Sequence, residues 1–142
     1  MRRMKIMEWK CVRPLQEENL LDTVEKACAI EYPPFYRETV RLYNAGIPVR
    51  RKLEIAGVGA FSFGRLISAN PGDNPNIFQT AGWMEECEPQ VDLIPFAMDN
   101  YGGLFCFRYI GGEPCGILLW DQDSGENYYV AETLEELLDM LR

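Results

Sequence analysis

Three apolar runs near the end of the chain, separated by tight turn signals, leave little choice of fold. Leu104 to Ile110 alternates, with Phe105, Phe107 and Tyr109 on one face and Leu104, Cys106 and Arg108 on the other. Gly111-Gly112-Glu113-Pro114 reads as a turn, and Gly116 to Trp120 returns as an antiparallel partner. Asp121 to Glu126 turns again, and Asn127 to Ala131 supplies another strand. Side chains repeat every two residues along a strand, and connections this short can only join antiparallel neighbours. The segment therefore predicts a meandering antiparallel sheet, preceded by a short strand at Leu93-Ile94-Pro95-Phe96-Ala97.

Helices flank this sheet. Leu20, Leu21, Val24, Ala27 and Cys28 recur at helical spacing, which predicts a helix from Gln16 to Cys28. Pro33-Pro34 stops it and opens a second helix, because proline breaks a helix interior but suits a first turn. That helix runs from Pro34 to Asn44 and ends at Asn44-Ala45-Gly46. Residues 4–12 read as an edge strand, 48–69 as β structure, 70–75 as a loop and Asn76 to Cys87 as a short helix. Thr133-Leu134-Glu135-Glu136 fits a capping box, with Leu134, Leu137, Leu138 and Leu141 as the buried stripe of a closing helix. The expected fold class is α+β, an antiparallel meandering sheet with helices packed on one face, in one domain spanning residues 1–142.

Composition narrows the function. The chain has 142 residues, 47% of them apolar, enough for a core without disulfide staples. A net charge of −8 disfavours nucleic acid and anionic membranes and favours a basic protein partner. The 5 cysteines show no CxxC spacing, so they read as reduced thiols rather than a zinc site or a disulfide framework. Glu8, Trp9 and Lys10 interrupt any apolar run behind Arg2 and Arg3, and no run has transmembrane length. The expectation is a cytoplasmic chain.

Chemistry is scarce. There is no histidine, which removes Ser-His and Cys-His dyads and the commonest metal ligand. Asp99, Asp121 and Asp123 suit turn capping better than paired-carboxylate hydrolysis. Asp121-Gln122-Asp123-Ser124-Gly125-Glu126 lacks the ligand spacing and flanking helices of a calcium loop. Gly57 to Gly64 misses the GxGxxG spacing and reads as a strand bend, and Arg50-Arg51-Lys52 as a solvated strand end. Phe96, Phe105, Phe107, Trp120 and Tyr129 fall at strand spacing and are assigned to the core. No catalytic residue, metal or cofactor is expected.

The pieces together resemble the SMI1/KNR4 (SUKH) family. The residues that carry this are Tyr32-Pro33-Pro34-Phe35-Tyr36 with Leu42-Tyr43-Asn44-Ala45-Gly46, then Leu93 to Gly103 with Asp99 and the pair Gly102-Gly103. Ile117-Leu118-Leu119-Trp120-Asp121 and the Thr133 to Leu138 helix complete it. The likeness runs from Gln16 to Leu141, although residues 47–90 match no recognised pattern of the family. It implies a non-catalytic protein-binding role: bacterial members are regarded as immunity proteins that block a cognate toxin, often a nuclease. The alternative is a regulatory scaffold for a signalling or cell-envelope protein, as in fungal members. The expected partner-binding residues are the aromatics Trp83, Tyr101 and Tyr128, which pattern does not commit to the core, and the acidic rim Glu85, Glu86, Glu88, Asp99, Asp121 and Asp123.

Overall fold

A computed structural model describes residues 8–87 and 92–142. In chain order the elements are β1 (Trp9–Lys10), α1 (Leu20–Cys28), α2 (Pro34–Tyr43), β2 (Ile47–Pro48), β3 (Lys52–Ile55) and β4 (Gly59–Leu66). They continue with α3 (Ile77–Cys87), β5 (Leu93–Asp99), β6 (Leu104–Ile110), β7 (Glu113–Trp120), β8 (Asn127–Ala131) and α4 (Leu134–Met140). Strands β3 to β8 form a six-stranded antiparallel sheet in sequence order, and β1 pairs with β2 in a separate ribbon. The α+β meander is therefore as the sequence predicts. Of the edge strand expected at 4–12, only residues 8–12 are described, and pairing is confined to Trp9 and Lys10.

The core forms where α2 meets the sheet. Tyr36 is fully buried and meets Phe96 and Phe107 edge-on, at 5.8 and 5.3 Å between ring centroids, while those two phenylalanines stack at 4.2 Å. Such aromatic contacts add to the area they bury. Phe63 stacks on Phe105 at 5.1 Å, and Leu134, Leu137 and Leu138 of α4 join the same cluster.

Several boundaries shift for physical reasons. Helix α1 begins at Leu20 instead of Gln16. The Gln16 amide is taken by the Asn70 side chain at 2.9 Å, and the Pro14 carbonyl accepts from the same side chain at 3.0 Å. Pro14 and Gln16 are thus held to Asn70, at the start of the 70–75 loop. Helix α2 stops at Tyr43 because Asn44 turns inward, where its side chain bonds Arg13 O, Ser68 Oγ and the Ala69 amide. Pro95 is tolerated inside the sheet by a bulge between Pro95 and Ala97, and the Phe96 carbonyl accepts from Ile67.

The β6–β7 turn contracts to Gly111-Gly112, both with positive φ, so Glu113 and Pro114 belong to β7. The Thr133 cap holds, its hydroxyl accepting from the Glu136 amide at 3.2 Å. Glu136 itself reaches the Glu132 amide, one residue earlier than a standard capping box requires. Tyr129 leaves the expected core: it is 48% exposed, while Val130 beside it is buried. Phe96, Phe105, Phe107 and Trp120 are buried as expected.

Candidate functional site

Two turns at one end of the sheet carry most of the expected interaction residues. The β5–β6 turn is closed by Asp99. Its Oδ1 accepts from the Tyr101 amide at 2.8 Å and the Gly103 amide at 2.7 Å, and its own amide donates to Gly103 O at 2.9 Å. The glycines are required here. Gly102 has φ +89°, and a Cβ on Gly103 would stand 2.7 Å from Asp99 Oδ2.

The β7–β8 turn repeats the device. Asp121 Oδ1 accepts from the Asp123 amide at 2.9 Å, and Asp121 O accepts from Gly125 at 2.8 Å. Strand β6 lies between β5 and β7, which brings the two turns side by side, and the Gln122 carboxamide donates to Gly102 O. Asp99 and Asp121 thus act as backbone acceptors inside their turns, whereas Asp123 is exposed.

Tyr101 stands out from this platform at 86% exposure, the highest of any exposed large apolar side chain among the described residues. It lines an open groove of about 650 Å³ with Lys52, Phe61, Asp139, Met140 and Arg142. Tyr128 is half-buried, its ring 6.1 Å from Phe61 and its hydroxyl donating to Glu126 Oε2 at 2.8 Å. That hydrogen bond to a carboxylate, ahead of burial and nearby acidic charge, pushes the Tyr128 phenol above its ordinary value. Phe61 sits on β4 and Tyr128 on β8, so the sheet curls until strands four places apart touch.

The remaining expected residues lie elsewhere. Trp83, 43% exposed, and the exposed Glu85 and Glu86 are on α3. Glu85 lines a hollow of about 410 Å³ with Cys28, Met84, Leu93, Tyr109 and Gly111. That hollow is at the Gly111 end of β6, about 20 Å along the strand from the Tyr101 turn at the usual rise per residue. Glu88 falls outside the described residues. The expected rim is therefore divided between two places.

Burial, and then the charge of Glu85, push the Cys28 thiol up, and burial does the same to Cys106. A nucleophilic cysteine needs the opposite shift. Gln122, Phe61, Met140 and Arg142 are the site residues that the sequence did not single out. Only the Asp-x-x-Gly-Gly and Asp-x-Asp turn spacings hinted at the platform beneath Tyr101.

Six antiparallel strands in chain order, with helices against them and capped turns at one end, define an α+β domain of the SMI1/KNR4 type. The chain belongs to the SMI1 / KNR4 family (SUKH-1), whose model matches residues 15–140. Membership supports an immunity-protein-like domain from a family that is in general non-catalytic. No curated protein matches the chain. Among the described residues no helix is long and apolar enough to cross a membrane.

Proposed function

We propose that the chain is a cytoplasmic immunity protein that binds a cognate toxin domain and covers its active cleft, with no turnover of its own. The observation that carries this reading is the pair of clamped turns, which present Tyr101 and Asp123 together on a rigid sheet end. Function of this kind needs an exposed, preorganised surface rather than a nucleophile. The proposed contact set is Asp99, Tyr101, Asp121, Asp123 and Tyr128, with Trp83, Glu85 and Glu86 on α3 as a second patch; Glu88 is proposed on its charge alone. A net charge of −8 suits a basic toxin such as a nuclease, whose own substrate is anionic.

The test is affinity capture from the source cell's lysate at low and high salt, followed by an assay of the captured protein. A single partner with toxic enzymatic activity, silenced at equimolar chain and released by salt, is the expected result. A signalling or cell-envelope protein, unaffected in activity, would replace this reading with the scaffold one.

A further inference from the structure

We propose that Tyr101 is a preset anchor that enters a recess on the partner rimmed by lysine or arginine, with Asp99 and Gln122 as the residues that position it. The inference rests on the toxin-binding reading above.

The turn itself asks nothing of the Tyr101 side chain. Closure comes from the Asp99 carboxylate, the Tyr101 and Gly103 amides and the positive φ of Gly102. Asparagine or serine at position 101 would serve the turn as well and would keep an aromatic ring out of water. An aromatic that is 86% exposed on a fully satisfied turn is therefore explained by what it meets outside the chain.

Its presentation is fixed from two sides. Asp99 holds the amide of Tyr101, and Gln122 holds the carbonyl of Gly102 from the neighbouring turn. Only the two side-chain torsions of the tyrosine remain to be ordered on binding, so little entropy opposes insertion.

The surroundings define the recess. Asp99 Oδ1 faces two amides of its own turn, so this carboxylate serves the turn first. Exposed Asp123 and Glu126 lie on the turn that Gln122 ties to Gly102, the residue after Tyr101. Of the charged residues that line the groove with Tyr101, Lys52 and Arg142 are matched in number by Glu54 and Asp139, which leaves Asp123 and Glu126 as the surplus charge at this end. Cations on the partner opposite those two side chains complement that surplus, and a cleft that binds an anionic substrate has that character.

The experiment uses the toxin domain recovered by capture and measures association and dissociation rates with the full chain and its variants. Tyr101→Ala is expected to speed dissociation by about 30-fold or more, the range of an interface hot spot. Asp99→Ala and Gln122→Ala are expected to speed it by about 10-fold and to add almost nothing when combined with Tyr101→Ala, as for residues acting through one another. Asp99→Asn, which keeps an oxygen acceptor, is expected to stay within about 3-fold of the unmodified chain, a change of the size single neutral substitutions produce. Additive losses in the double variants, or an Asp99→Asn as damaging as Asp99→Ala, would overturn the positioning role. A toxin complex whose dissociation ignores Tyr101→Ala would overturn the anchor and leave the proposed function standing. Failure to recover any toxin domain would overturn both. Thermal melts of each variant separate these outcomes from loss of folding, and the exposed Tyr101 and Gln122 keep the test open if Asp99→Ala does not fold.

Discussion

Lys52 and Arg142 exchange two backbone hydrogen bonds, at 3.1 Å from Lys52 N to Arg142 O and 3.0 Å in return. The residues after α4 thereby sit along β3 on the side away from β4, where an edge strand would otherwise show its amides to solvent. The same contact brings Met140 and Arg142 into the groove beside Tyr101. Closure of the sheet and construction of the candidate surface are one event.

Leu141, between α4 and this pairing, is 1% exposed. Leu141→Ala should lower unfolding free energy by about 2–5 kcal/mol through lost contacts and a residual cavity. Urea titration gives the stability. Hydrogen exchange should show the Lys52 amide opening faster than amides inside β6, because the Lys52 amide donates to Arg142, next to the substituted residue.

Tyr32 and Tyr36 hold their phenolic protons well above the ordinary value of 10, first because burial disfavours the phenolate. The folded chain then keeps protons that the unfolded chain releases above that value. Their contribution to stability is complete below about pH 10 and is lost as pH rises further. Tyr36→Phe should flatten the alkaline slope, followed by melting temperature from pH 8 to 11. At neutral pH it should leave stability unchanged or raise it by about 1 kcal/mol, since the buried hydroxyl has no protein partner to lose and its removal relieves a desolvation cost.

Asn44 is a buried hub, with bonds of 2.8 Å to Arg13 O, 3.1 Å to Ser68 Oγ and 2.9 Å from the Ala69 amide. Asn44→Ala strands the Arg13 carbonyl and the Ala69 amide and should cost about 2–5 kcal/mol. Asn44→Asp restores only the Ala69 bond, since a carboxylate cannot donate to the Arg13 carbonyl. Little recovery is expected in chemical denaturation.

Charge reversal at Asp123 tests steering. Asp123→Lys should slow association with a basic partner several-fold at low salt and leave dissociation nearly unchanged, because a rim charge acts mainly on encounter. The difference should shrink at 0.5 M salt, where the screening length is about 4 Å. Stopped-flow association across a salt series reads both effects.

Local periodicity carried most of the fold. Pro33-Pro34 opened α2, Thr133 capped α4, and the alternation of Leu104 to Ile110 placed β6. Errors arose where a distant partner decided. Gln16 looked helical until its amide went to Asn70. In β8, Tyr128 and Tyr129 are interchangeable by composition. Only the approach of Phe61 puts the first against protein and leaves the second largely in solvent.

The candidate site divides in the same way. Asp99 with Gly102-Gly103 and Asp121 with Gly125 were legible as turns, because the geometry of a turn is written in its own residues. That Gln122 would clamp Gly102, or that Arg142 would pair with Lys52, depends on strand order and on the curl of the sheet.

By itself the sequence determined the helices α1 to α4 and the antiparallel order of β5 to β8, since helical and strand periods and short turns are local properties; within 48–69 it indicated β structure without strand bounds or partners. The tertiary structure alone decided that Gln122 clamps Gly102, that Met140 and Arg142 flank Tyr101, and that Trp83 and Glu85 lie elsewhere on α3. A surface is assembled from residues far apart in the chain, and the packing free energy that brings them together belongs to no single segment.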